Sequence, residues 1–168
     1  MTEPRWLDRS EARAWRGYRR MRTLLDLQLS RDLMRESGLS ESDYDVLSGL
    51  SETPGHRLRL RELAAQMLWS RSRLSHHITR MQQRGLVTRE ECPVDGRGSV
   101  IVLTAAGLRA IEAAAPGHVA AVRRHLIDLL TEEEIAALGD IARRVVDHLT
   151  SLDDVHDKSS TEQTRGKR

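Results

Sequence analysis

The feature that most constrains this chain is a helix-forming segment held between a cap and a stop. Residues 71–84 carry apolar side chains at helical spacing, with Ser70 as a good N-cap before them. Gly85 stands where a left-handed C-terminal stop is expected. The shorter segment 61–68 also has helical spacing, and only a tight turn separates it from Ser70. The sequence therefore predicts a helix-turn-helix over these residues.

The second helix of this pair has two chemically different faces. At about 100° per residue, Leu74, Ile78 and Met81 share one face, which we expect to lie in the core. The opposite face carries hydrogen-bond donors and acceptors, namely Ser72, His76, Thr79, Arg80 and Gln83, with Arg73 at its edge. Such a surface is able to read base edges and phosphates in a DNA groove. An ordinary amphipathic surface helix is about as common with this pattern, so the helix alone does not decide the function.

A β-hairpin is expected after Gly85. Residues 86–90 and 99–103 are rich in β-forming side chains, and the ECPVDGRG connection contains proline, aspartate and glycine turn formers. Such a hairpin would carry Arg97 near its tip, where the arginine reaches a minor groove or remains a solvated turn residue. Asp95 is a candidate ion-pair partner for Arg97. The order of helix, turn, basic helix and hairpin favours double-stranded DNA as the partner.

A long amphipathic helix is predicted on the N-terminal side of this block. Apolar residues recur at three- and four-residue steps along residues 10–36. Ser40 followed by Asp43 is a capping box, which predicts a shorter helix that ends at the SETPG turn. Residues 58–60 are a candidate short strand.

Two further helices are predicted after the hairpin. Thr104 caps the first, in which Pro116-Gly117 marks a kink or a break. Thr131 and Glu134 form a capping box for the second, whose apolar face continues to about residue 150. Residues 153–168 are polar and without periodicity, which predicts a disordered tail.

Charge and composition narrow the class of partner. The interval 57–97 has nine arginines and four acidic residues, whereas 119–150 has four arginines and six acidic residues. The middle of the chain is therefore cationic, as in a module that faces a polyanion. The chain contains only five aromatic residues and no phenylalanine. This composition favours a core of packed aliphatic helices and disfavours single-stranded RNA platforms, which depend on stacking.

The cysteine content and the lack of long apolar runs predict a soluble protein of the reducing cytoplasm. Cys92 is the single cysteine, which excludes an intrachain disulfide, and we expect it to be inert rather than redox-active. No apolar run approaches a membrane span and no signal-peptide core is present. His118 and His125 share a helix face but are too far apart to chelate alone, so no metal or cofactor is expected.

An enzyme and a protein-interaction module are the alternatives to a DNA-binding protein. The chain offers no glycine-rich phosphate loop, nucleophile elbow, HExxH motif or paired cysteine ligands, so catalysis is not expected. A helical interaction module with the same fold is distinguished by its salt behaviour. Binding to DNA weakens steeply with salt because counterions are released.

The run ELAAQMLWSRSRLSHHITRMQQRGLVTREECPVDGRGSVIVLTAAG resembles the winged-helix core of the MarR family of bacterial regulators. The family's ELA, SRS, RM and RGLV phrases occur here in order and at matching spacing. The family's D-x-R wing and L-T-x-x-G helix start are supplied by Asp95, Arg97, Leu103, Thr104 and Gly107. The flanking helices extend the resemblance over about residues 10–150.

This resemblance implies a mainly α fold with a small β-hairpin, formed by a winged helix-turn-helix lobe and dimerisation helices. The lobe would span residues 40–103 and the dimerisation helices 10–36 and 104–150, all within a single domain of residues 1–152. The function implied is that of a sequence-specific transcriptional regulator and not an enzyme. It would be a ligand-responsive repressor that binds a pseudo-palindromic operator as a homodimer.

We assign DNA contacts to the helix and the hairpin tip. The candidate DNA-binding residues are Ser70, Arg71, Ser72, Arg73, Ser75, His76, Thr79, Arg80, Arg84 and Arg97. Among them, Arg71, Arg80 and Arg84 are expected mainly at phosphates and Arg97 in the minor groove. His77 occupies a position that is often aliphatic in the family. A buried neutral imidazole is favoured there over a pH sensor.

The resemblance also implies a small aromatic or phenolic effector, bound between the dimer helices and the DNA-reading lobe. Trp15, Tyr18 and Trp69 are candidates to line its pocket. The alternative, which we favour, is that these rings fill a core otherwise short of aromatic side chains.

Overall fold

The computed structural model describes residues 4–91 and 98–165, with side chains as far as Leu152. The chain divides into two compact units, residues 1–123 and 124–168. A single domain that ends at residue 152 stays a prediction.

The described residues form six α-helices and a small antiparallel sheet, which confirms the mainly α fold class. The elements are α1 (Arg9–Ser37), α2 (Glu41–Ser51), β1 (Arg57–Arg59), α3 (Leu60–Gln66), α4 (Arg71–Gln83), β2 (Val87–Glu91), β3 (Ser99–Leu103), α5 (Ala105–His125) and α6 (Glu132–Arg165). Helix α6 belongs to the second unit, and the elements from α1 to β3 belong to the first.

Helix boundaries follow the capping residues that the sequence indicates. The Ser40 hydroxyl accepts a hydrogen bond from the Asp43 backbone N–H at 3.1 Å, and the Asp43 carboxylate accepts one from the Ser40 N–H at 3.0 Å. Thr131 and Glu134 form the same reciprocal pair at the start of α6. Helix α1 ends at Gly38, which has the left-handed φ of +67°. Each capping box satisfies N–H groups that have no partner within the helix.

The sheet has the strand order β1-β3-β2, with both neighbouring pairs antiparallel. Val87 pairs with Leu103 and Glu91 with Ser99, which confirms the predicted hairpin. The candidate strand at 58–60 occurs one residue earlier, and it lies against β3 as a third strand. Because β3 is central, its apolar side chains enter the core.

The core of the first unit is aliphatic, as the composition requires. Leu74, Ile78 and Met81 of α4 are fully buried, which confirms the predicted inner face of that helix. They pack with side chains from the surrounding helices and from β3, including Leu47, Leu50, Leu63 and Ile101. Helix α4 is thus fixed by one face, and its opposite face is left to solvent.

The start of α5 lies against the backbone that enters β2. The Thr104 hydroxyl caps α5 by accepting from the Gly107 N–H at 2.9 Å. The same hydroxyl lies 2.7 Å from the Gly85 carbonyl oxygen. A Cβ at Gly107 would stand only 2.1 Å from the Leu86 carbonyl oxygen. Only glycine therefore permits this approach of helix and strand, which explains the L-T-x-x-G pattern.

Helix α5 continues through Pro116, so the break considered from the sequence does not occur. Proline lacks the N–H that would bond to the carbonyl of Glu112. Both residues are exposed, so water is able to reach the carbonyl that loses its partner.

The backbone of α6 is helical as far as Arg165, which corrects the disordered tail predicted from residue 153. The composition of the tail is polar, but no glycine or proline occurs between Gly139 and Gly166. No residue in this stretch is therefore a strong helix breaker. Polarity was the wrong signal for the end of this helix.

Candidate nucleic-acid interface

Helix α4 follows α3 after a tight turn, as expected for a helix-turn-helix. Leu68 adopts a left-handed φ of +53° in this turn, and the Trp69 N–H donates to the Ala64 carbonyl at 2.9 Å. The Ser70 hydroxyl then accepts from the Arg73 N–H at 3.2 Å, which confirms Ser70 as the N-cap of α4. The cap fixes the residue at which α4 begins, and hence which side chains project from its outer face.

The outer face of α4 collects most of the predicted DNA-contacting residues on one exposed surface. The exposed members are Ser70, Arg71, Ser72, Arg73, His76, Thr79 and Arg80, and we call them the α4 surface. They supply hydroxyl, imidazole and guanidinium groups, and no carboxylate occurs between Glu62 and Arg89. The surface is therefore cationic and rich in hydrogen-bond donors, as phosphate and base-edge recognition requires.

Two arginines of the α4 surface contact neighbouring aromatic rings. The Arg73 guanidinium lies 3.9 Å from the centre of the Trp69 ring, within cation–π range. The Arg80 Nη2 donates to His77 Nδ1 at 3.0 Å. Both arginines remain exposed. Their side chains are therefore supported near the surface while the charge stays accessible to an anion.

Arg84, which we expected mainly at a phosphate, is bound by acceptors of the lobe itself, although its side chain is 44% exposed. Its Nη1 lies 2.6 Å from Asp43 Oδ2, and its Nη2 donates to the Gly38 carbonyl at 3.1 Å. These bonds direct the guanidinium to the junction of α1 and α2. The structure therefore does not bring Arg84 together with the α4 surface.

Asp43 is a buried anchor that sequence reasoning identified only as a cap. Its Oδ2 accepts from Arg84 and from the Ser40 N–H, and its Oδ1 lies 3.1 Å from His77 Nε2. The contact with His77 is close, but its geometry falls short of a well-formed hydrogen bond. Burial alone would raise the pKa of Asp43, but the hydrogen bonds from Arg84 and Ser40 outweigh burial and lower it. Asp43 is therefore a carboxylate that holds α4 to α2.

His77 is buried, as predicted, and its neighbours fix its protonation. An arginine only donates, so Nδ1 must accept from Arg80, and the single ring proton is then on Nε2 beside Asp43. Burial lowers the pKa of His77, and the Arg80 charge adds to this effect against the opposing attraction of Asp43. The imidazole is thus neutral, in agreement with the structural role favoured from the sequence.

The three candidate effector-pocket rings take part in two separate contacts. Trp15 stacks on Tyr18 along α1, with ring centres 5.9 Å apart. Trp69 instead makes an edge contact with His77 and supports Arg73. A cavity of about 640 Å³ lies between α2 and α3, and its lining includes Tyr44 but none of these three rings. Among the described residues, the rings are therefore not gathered around one pocket. The expectation that they fill the core holds for Trp69, which packs against it, but is wrong for Trp15 and Tyr18, which are about half exposed on α1.

Arg89 of β2 contacts α4, and it is absent from the residues predicted from the sequence to form the site. Its Nη2 lies 3.2 Å from Ser75 Oγ and 3.4 Å from the Ser75 carbonyl oxygen. Ser75 itself is only half-exposed. A signal was available, because side chains alternate along a strand and Arg89 shares the inner face with buried Val87. An arginine on an inward face requires a partner.

Three residues discussed from the sequence, Cys92, Asp95 and Arg97, lie outside the described residues. Within residues 4–91 and 98–152, whose side chains the structure describes, no group of three or more potential ligands is arranged to hold a metal ion. No helix of the described residues has the length and apolar character of a bilayer span.

Comparison with known proteins gives one consistent family. Residues 37–98 match the sequence profile of the MarR family. The structure of AbsC, a MarR family transcriptional regulator from Streptomyces coelicolor, is 44% identical with a TM-score of 0.84, over 88% of this chain and 99% of AbsC. Sco3205, a MarR family regulator from the same organism solved in complex with DNA, is 44% identical with a TM-score of 0.84, over 89% of this chain and 93% of Sco3205.

A curated protein gives the same result at lower similarity. The transcriptional regulator HosA of Escherichia coli O111:H- is 29% identical over 102 residues, which are 60% of this chain and 73% of HosA.

Proposed function

The chain belongs to the MarR family of transcriptional regulators, and we propose that it binds an operator in double-stranded DNA through the α4 surface. The observation that carries this proposal is the exposed, carboxylate-free outer face of a helix whose other face is fully buried. A similar protein, Sco3205, was solved in complex with DNA. A helix of this kind enters a major groove with its polar face toward the bases.

Within this proposal the α4 residues have different roles. Ser72, Arg73 and His76 lie in the groove, and Arg71 and Arg80 contact phosphates. Thr79 and Ser70 complete the surface. Arg97 enters the adjoining minor groove, as the sequence predicts. Arg84 is removed from the contact set, because Asp43 and the Gly38 carbonyl already bind its guanidinium.

Two copies of the chain bind one operator. The first unit leaves an apolar stripe of α1 exposed, including Trp15, Tyr18 and Met21. In the second unit, α6 exposes Ile141, Val145 and Leu149, among others. Exposed apolar stripes of this length are typical of helices that pair between subunits. A twofold dimer would present its two α4 helices to half-sites about 34 Å apart, and hence to a pseudo-palindrome.

The regulator acts as a ligand-responsive repressor in the cytoplasm, in keeping with its family. The cavity between α2 and α3 is a candidate effector site, since its volume is typical of small-molecule pockets. Trp15 and Tyr18 are exposed on α1 and would be available to line a pocket at a subunit interface. A thermal-shift screen of aromatic and phenolic acids, followed by release of bound DNA, tests this part.

Selection from a random duplex library with purified full-length protein tests DNA binding. We expect a pseudo-palindromic sequence to be enriched, and its affinity to fall steeply with salt, by about 0.9 logarithmic unit per phosphate contact for each tenfold increase. His76→Ala should weaken binding to this duplex by about 1–3 kcal/mol. Arg143→Ala on α6 is the control, because it removes an exposed side chain that belongs neither to the α4 surface nor to the apolar stripe of α6. Failure to enrich any duplex would contradict the proposal.

A further inference from the structure

We propose that Arg89 is a positioning residue for DNA recognition, which acts by fixing the hydroxyl of Ser75 on α4. The inference rests on the proposed function, because it concerns how the α4 surface is presented to DNA. Arg89 is on β2 and Ser75 is on α4, so their contact joins the hairpin to the recognition helix.

The contact is made by a single guanidinium nitrogen. Arg89 Nη2 lies 3.2 Å from Ser75 Oγ and 3.4 Å from the Ser75 carbonyl oxygen, so both of its contacts are made to one residue. Arg89 Nε is buried and has no partner within the described residues. The side chain is therefore half-buried between strand and helix, and it is not extended into solvent as a phosphate ligand would be.

The chemistry of the pair determines what Ser75 is able to do. A serine hydroxyl has one hydrogen to donate and lone pairs to accept, whereas an arginine only donates. Because Ser75 Oγ accepts from Arg89, its own hydrogen remains for another acceptor. Major-groove acceptors are N7 and O6 of guanine, N7 of adenine and O4 of thymine. Arg89 thus presents Ser75 to the groove as a donor of fixed direction.

The Ser75 carbonyl is held from a second side. The Thr79 hydroxyl donates to it at 3.0 Å, from the next turn of α4. Ser75 is consequently bound at its carbonyl by Thr79 and at both oxygens by Arg89. These contacts hold the Ser75 carbonyl and hydroxyl oxygens in place, and they leave the hydroxyl hydrogen to be donated to another acceptor.

A double-mutant cycle on the duplex selected with the wild-type protein tests the inference. Arg89→Ala and Ser75→Ala should each weaken binding about tenfold, and the double variant should also lose about tenfold rather than a hundredfold. Arg57→Ala is the matched control. Arg57 is also on the sheet, but it pairs with Glu90 at 2.8 Å, and its removal changes the net charge by the same amount. We expect this control to lose less than about twofold.

The salt dependence separates positioning from direct phosphate binding. Arg89→Ala should keep the salt slope of Arg57→Ala, because no phosphate contact is lost. A slope of log affinity against log salt concentration that is smaller by about 0.9 would show that Arg89 binds phosphate, and would overturn the inference. Fold losses in affinity that multiply in the double variant would overturn it as well. A loss no greater than that of Arg57→Ala would also overturn it.

Two further measurements distinguish a loss of DNA affinity from a loss of folding. Thermal melting shows whether Arg89→Ala folds, and if it does not, Arg89→Lys repeats the cycle with the charge retained. The lysine ammonium is a single point donor on a shorter side chain, so Arg89→Lys should also lose affinity. Equal binding by Arg89→Lys and wild type would contradict the inference. If the wild-type protein enriches no duplex at all, the proposed function fails instead.

Discussion

Asp43→Asn is the substitution that most directly tests the buried anchor of α4. The Asp43 carboxylate accepts from Arg84 at 2.6 Å and lies 3.1 Å from His77 Nε2, which carries the ring proton. An asparagine has one oxygen and one NH₂ group in place of the two oxygens. One orientation turns the NH₂ toward His77 and the other turns it toward Arg84, so one donor always faces another donor.

The expected cost follows from these contacts. Loss of a charge-assisted hydrogen bond to a buried carboxylate costs about 1.5–3 kcal/mol, and a buried unsatisfied donor costs about 1–3 kcal/mol. The Arg84 side chain is 44% exposed, so water screens part of its interaction with the Asp43 carboxylate. We therefore expect Asp43→Asn to lower the free energy of unfolding by about 3 kcal/mol at neutral pH.

Urea denaturation at fixed protein concentration measures this loss. Asp140→Asn is the matched control, because Asp140 also pairs with an arginine at 2.6 Å, but both side chains are about two-thirds exposed. It should cost less than about 0.5 kcal/mol. The pKa of Asp43 is lowered from 3.8, so the stabilisation is present above pH 3.8 and is lost as the pH falls through the lowered value. Equal losses in the two variants at neutral pH would refute the assignment of a buried anchor.

Three further predictions concern stability. Gly107→Ala should lower the free energy of unfolding by about 3 kcal/mol in urea denaturation, because its Cβ would overlap the Leu86 carbonyl. Gly139→Ala meets nothing within 4 Å and should raise it by about 0.5–1 kcal/mol. Equal effects of the two substitutions would contradict this packing. The pKa of His77 is lowered from 6.5, so wild-type stability should fall as the pH drops below 6.5 and the unfolded state takes up a proton. His77→Gln should remove that part of the pH dependence, and an unchanged profile would count against a neutral buried imidazole. Ser70→Ala should cost about 1 kcal/mol through loss of the α4 cap, and an unchanged melting temperature would exclude this role.

Local signals accounted for the helix-turn-helix and the hairpin. The cap at Ser70, the left-handed Gly85 and the apolar spacing of α4 each act within a few residues of chain, and all three are found as predicted. Such features are visible in sequence because their physical cause is local. The same logic failed for the tail, where polarity was taken for disorder although nothing in the segment breaks a helix.

The outer face of α4 was determined by the sequence itself, because helical periodicity alone decides which residues oppose a buried stripe of Leu74, Ile78 and Met81. Which of the arginines remain available was decided only by tertiary structure. Arg84 is 41 residues from Asp43, and Arg89 is 14 residues from Ser75. No local pattern encodes these pairs, since a guanidinium on a long flexible side chain binds whichever acceptor the folded chain brings within reach.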